Sequence, residues 1–132
     1  MDKWKEVFVK GFAPVIKTEG LLALKQALVV DDPKLIQGAT TSPPPMTCVQ
    51  DWPCEAACGI GYCGWQGDGL HIVCDVEEYF AKVCFQADQF LGEPAGCRHF
   101  LNWFDDSPRS VVREKLIPVI DEILVERNYG KD

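Results

Sequence analysis

Residues 75–92 read DVEEYFAKVCFQADQFLG, and this stretch decides the fold class. Asp75, followed three residues later by Glu78, has the form of a capping box at a helix start. Behind it Val76, Tyr79, Phe80, Val83, Cys84, Ala87, Phe90 and Leu91 recur at the three- and four-residue spacing that paints one face of an α-helix. Gly92 supplies the C-terminal stop.

The same signals continue downstream. Pro94 opens a further helix whose Cys97, Phe100, Leu101 and Phe104 keep the helical period. Ser107-Pro108 then announces a last helix running to about Asn128, with Val112, Leu116, Val119, Ile120, Ile123 and Leu124 as its inner face. Pro118 lies inside that run and predicts a kink or a split, because it removes one backbone bond and crowds the preceding turn.

Upstream, Trp4, Val7, Phe8 and Phe12 predict a short helix over residues 2–12, with a strand at Val7-Phe8-Val9 as the alternative. Leu21, Leu22, Leu24, Ala27 and Leu28 mark a second helix that ends near Asp31-Asp32-Pro33, and Lys34 to Gln37 add one further turn. Residues 38–47, GATTSPPPMT, cannot be helical and read as an extended connector of polyproline type, a rigid linker rather than a docking peptide. Asp51 and Pro53 predict the start of a third helix, on which Cys54, Ala57, Cys58 and Gly61 would form a narrow face of small side chains. Gly59 and Gly61 imply that another backbone approaches closely there or that the helix breaks. Gln66-Gly67-Asp68-Gly69 is a turn by composition. The expected fold is all-α, a compact bundle of five or six helices with a Pro-rich extended connector, in a single domain over residues 1–132.

Composition agrees with a folded chain: 47% of the 132 residues are hydrophobic and 25% charged, far from disordered compositions. No apolar run follows a basic start, and no stretch approaches the roughly 20 apolar residues of a membrane span, so neither a secretory signal nor a membrane segment is expected. The seven cysteines are then expected as thiols in a reducing, cytoplasmic setting.

Charge is unevenly distributed. Residues 1–37 and 108–132 are almost neutral, whereas residues 38–107 carry ten acidic side chains against Lys82 and Arg98. That middle segment also holds every cysteine and both histidines. Nucleic-acid affinity rests on clustered Lys and Arg, which are lacking here, so direct nucleic-acid binding is not expected.

Candidate sites follow from the same segment. Cys54 and Cys58 stand four residues apart and on a helix would offer two thiols from one face, two ligands for zinc or an iron–sulfur cluster, or a thiol redox sensor. No paired CxxC completes such a site, and small-residue packing is the competing reading, so no cofactor is expected. Cys84 and Cys97 fall at core positions. Only Lys82 and Arg98 stand near enough in sequence to lower a thiol pKa, and the surrounding acid opposes it. His71 and His99 have no motif that fixes them beside a thiol. Trp103, Asp105 and Asp106 join an aromatic ring to an acidic helix end, a candidate partner-binding patch. The competing reading assigns Asp105, Asp106 and Ser107 to the start of the next helix, where anions are favoured. With no catalytic constellation to assemble, the expectation is a non-enzymatic interaction or regulatory domain presenting an acidic, aromatic-containing surface to a protein partner, a basic one. A metal-binding or redox-sensing protein is the alternative, and a small enzyme of unknown reaction the third reading.

Overall fold

A computed structural model describes residues 2–43 and 52–127. Within them lie helices α1 (Lys3–Val7), α2 (Thr18–Val30), α3 (Gly59–Tyr62), α4 (Val73–Leu91), α5 (Arg98–Asp106) and α6 (Arg109–Glu126). Two-residue strands β1 (Thr41–Ser42) and β2 (Ala56–Ala57) pair antiparallel, so the architecture is predominantly helical. One contiguous hydrophobic cluster draws residues from all six helices. Cys48, the Asp51 cap, prolines 44 and 45 of the connector, and the expected end at Asn128 fall outside the described residues.

The long periodic segments fold as their patterns dictate. Every expected inner residue of α6, from Val112 to Leu124, is buried. Pro118 is exposed inside α6, and the helix neither ends nor splits there. On α4, Val76, Val83 and Ala87 are buried and Tyr79, Phe80, Cys84 and Leu91 half-buried. Phe90, in contrast, is 62% exposed: at this end of α4 the close contact is made by Leu91 and the Ala87 carbonyl against Gly11. The expected capping box is displaced. Helix α4 starts three residues earlier, with Ile72 as N-cap, and Asp75 lies in the first turn as a favourable anion. Val73 N–H is satisfied instead by Trp52 O at 2.8 Å.

Two stretches widen into π-helix. Residues Phe8–Phe12 continue α1, burying Phe8 and Phe12 in one helical course rather than a strand. Residues Cys63–Gly67 continue α3. The second segment lies directly on α2: a Cβ at Gly67 would collide with Gly20 Cα, so backbone meets backbone and only glycine fits.

The segment before α3 departs from expectation. Residues 52–58 are extended, not helical, because their backbone groups are claimed by distant partners. Cys54 N–H donates to His71 O, Glu55 N–H to Ser42 O, Ala57 N–H to Lys34 O and Cys58 N–H to Thr40 O, all at 2.8–2.9 Å. Ile36 N–H returns a bond to Ala57 O at 2.9 Å, so Lys34 to Gln37 form a bridge instead of a helical turn. The helix begins only at Gly59, with Cys58 as N-cap.

Candidate functional site

The extended course of residues 53–58 positions the middle segment against α5. Cys58 leads into α3, and Gly59 lies under the ring of Phe104, where an added Cβ would stand 3.1 Å from Cε2. Between residues 38–40, the start of α3, Phe80 of α4 and the outer flank of α5 lies a cleft of about 120 Å³. Its lining mixes the 38–40 loop and Asp105 with the side chains of Phe80 and Leu101, over the buried Ile60, Phe100 and Phe104. Asp105 Oδ1 accepts Gly38 N–H at 2.9 Å, which ties the 38–40 loop to α5.

The cleft brings together two residues singled out in the sequence, Cys58 and Asp105, and separates others. Cys54 is not on a helix with Cys58. It sits in the extended segment, where its thiol donates to Ala56 O at 3.3 Å. Cys58 Sγ accepts Gly61 N–H at 3.4 Å, and Cys63 Sγ donates to Gly59 O at 3.3 Å. All three are buried, and burial drives each thiol pKa upward, that of Cys58 to about 12 with the carboxylates of Asp105 and Glu77 adding to the shift. This chemistry disfavours thiolate, the form that attacks electrophiles and ligates metals. Among the described residues no three His, Cys, Asp or Glu side chains gather at metal-binding geometry.

Trp103 and Asp105 lie two positions apart and therefore face different flanks of α5. Trp103 turns toward α1 and stacks on Trp4, centroids 3.7 Å apart and planes within 4°. Asp106 is exposed between the two flanks. Asp105 and Asp106 close α5 rather than opening the next helix, since α6 starts at Arg109. The unfavourable meeting of acid with a helix C-terminus is offset by Gln37, whose amide donates to Phe104 O at 2.7 Å and Ser107 O at 2.8 Å. Sequence reading missed Gln37, as nothing local marks a side chain that caps a helix far along the chain.

The histidines take no part in the cleft. His71 is exposed, and its carbonyl receives Cys54 N–H. His99 Nε2 lies 3.1 Å from Glu93 Oε2, in a small surface network with Lys3 and Arg98 that also holds the Glu93 carboxyl below its ordinary pKa.

That network uses the one carboxylate of the middle segment that is ion-paired among the described residues. Glu55, Asp68, Asp75, Glu78, Asp105 and Asp106 are all exposed and form no ion pair among the described residues. The other ion pairs among the described residues lie outside it: Lys25 with Asp121 at 2.6 Å, Arg109 with Asp31 at 2.9 Å, and the longer pairs Lys10 with Glu6 and Arg113 with Asp31. Also among the described residues, no helix is long and apolar enough to cross a membrane. In comparison with known proteins, the chain matches no protein-family model, no curated protein and no solved structure.

Proposed function

We propose that the chain is a non-enzymatic protein-interaction domain that offers the acidic surface of its middle segment, Asp105 and Asp106 included, to a basic protein partner. The observation that carries this reading is the unbalanced acid. Folding brings one basic side chain of the near-neutral ends, Lys3, into an ion pair with the described carboxylates of residues 38–107, at Glu93. Such a surface repels itself and gains from a cationic partner, which it steers at long range. The half-buried Trp103 borders the surface with one face given to Trp4. Buried thiols poor in thiolate fit a reducing, cytoplasmic setting.

Titration with a lysine-rich peptide at low and high salt tests the reading. Affinity should fall as the Debye length shrinks from about 10 Å at 0.1 M to about 3 Å at 1 M. A glutamate-rich peptide of equal length should not bind. Equal affinity at both salt concentrations, or no binding of the lysine-rich peptide at low salt, overturns it.

A further inference from the structure

Cys84 lies on α4 and Cys97 is the N-cap of α5. Two contacts between these helices bracket the pair. At one end Asp88 Oδ1 accepts the Cys97 N–H at 2.8 Å, and Oδ2 accepts the Ala95 N–H at 3.1 Å. At the other, Phe80 of α4 and Leu101 of α5 line the same cleft. Phe80, Cys84 and Asp88 follow at four-residue steps and so share one flank of α4, and Cys97 precedes Leu101 by the same step. The register that joins residue 80 to 101 and 88 to 97 sets Cys84 beside Cys97. The two thiols hydrogen-bond each other there.

Access distinguishes this pair from the other neighbouring thiols. Cys58 and Cys63 are both buried and each is engaged within the α3 turn, Cys58 by the Gly61 N–H and Cys63 by the Gly59 carbonyl. Cys97 is buried too, but Cys84 is only half-buried, so a reagent from solvent reaches one member of the pair.

We propose that Cys84 and Cys97 are a reversible dithiol–disulfide couple which, by exchange with a small-molecule disulfide, ties α4 to the start of α5. Cys84 Sγ gives its proton to solvent and attacks one sulfur of the small disulfide, expelling the other as a thiolate. Cys97 Sγ then gives up its proton, attacks Cys84 Sγ and expels the second thiolate. Two protein thiols are oxidised, one small disulfide is reduced to two thiols, and the two released protons match the two expelled thiolates. Burial raises both protein thiol pKa values, that of Cys97 to about 11. Exchange is therefore slow at neutral pH, and the couple follows a sustained change of redox poise and not a brief pulse of oxidant. The inference is independent of the acidic-surface reading.

The experiment equilibrates the whole chain with mixtures of reduced and oxidised glutathione, quenches with acid, alkylates and digests with trypsin. Residues 83–98, between Lys82 and Arg98, form one peptide that carries both cysteines, whereas residues 35–82 carry the other five. At the oxidised end of the series peptide 83–98 should be lighter by two hydrogens and refuse alkylation, and dithiothreitol should restore it. The denaturant midpoint of the oxidised chain should rise, because the bridge closes a loop in the unfolded chain. Cys97→Ser should stop the reaction with glutathione retained on Cys84, and Cys97→Ala should do the same where serine disturbs the fold. An unaltered peptide 83–98 at the oxidised end overturns the proposal. So does loss of the two hydrogens from peptide 35–82 instead, or a bridge between residues 84 and 97 that lowers the denaturant midpoint.

Discussion

Trp4 and Trp103 stack face to face, with centroids 3.7 Å apart and planes within 4°, and so join the first helix of the chain to the fifth. Behind them Phe8 and Phe100 lie 4.8 Å apart and Phe12 and Phe100 5.4 Å apart, so the stack closes the outer edge of an aromatic core. A double-mutant cycle of Trp4→Ala and Trp103→Ala should return a coupling of about 0.5–1.5 kcal/mol in denaturant unfolding. Strict additivity would mean that the rings touch without supporting each other.

Gly67→Ala tests the backbone contact between the second π-helical segment and α2. The added methyl has Gly20 Cα in its way, and a backbone atom cannot step aside as a side-chain tip can. A loss of about 1–3 kcal/mol, the usual cost of overpacking, is expected from the denaturant midpoint. An unchanged midpoint would separate the two elements.

Arg109 grips the turn after α2. Its Nε donates to Asp31 Oδ1 at 2.9 Å, Nη2 to Asp32 O at 2.6 Å and Nη1 to Leu35 O. Lysine carries the charge but not the fork, so Arg109→Lys should still lose about 1.5–3 kcal/mol, the worth of a charged hydrogen bond. Stability equal to the parent in a thermal or denaturant melt would show that charge alone suffices.

The buried thiols fix the alkaline limit of the fold. Cys58, with an ordinary pKa near 9, is pushed to about 12 when folded, and Cys97 to about 11, chiefly by burial. Above pH 9 the unfolded chain releases these protons while the folded chain keeps them, so unfolding is favoured as pH rises. Stability should be level from neutral pH to pH 9 and fall between pH 9 and about 12, by up to about 1.4 kcal/mol per pH unit for each thiol. Cys58→Ala should flatten part of that slope. A slope through pH 9–11 that Cys58→Ala leaves unchanged would contradict the assignment of Cys58.

Helices α2, α4 and α6 were legible because their apolar period and stop signals are local: Gly92 ends α4 at φ 67°, and Asp31 ends α2 at φ 54°, whereas α5 keeps its period but begins at Arg98 and not at Pro94. The stretch 52–58 misled because Asp51 and Pro53 look like a helix start, while the bonds to Lys34, Thr40, Ser42 and His71 come from residues that no local pattern connects to it. The same limit governs the site. Cys58 and Asp105 were singled out for separate reasons, and their meeting at one cleft depends on the extended course of the misread segment. Trp103 and Asp105 look like one patch in sequence, but a two-residue step turns them to different flanks of α5.

The central claim is that the acid of residues 38–107 is a recognition surface and not only a source of net charge. Two charge-matched variants separate these most directly: Asp105→Lys with Asp106→Lys, and Glu122→Lys with Glu126→Lys, each of which raises the net charge of −7 by four. All four carboxylates are exposed, and none is ion-paired among the described residues. With both folds verified by unfolding midpoint, the affinity for a lysine-rich peptide at low salt should drop about tenfold or more in the first variant and less than about twofold in the second. Equal losses in the two variants would contradict the account and leave the acid as a solubilising charge.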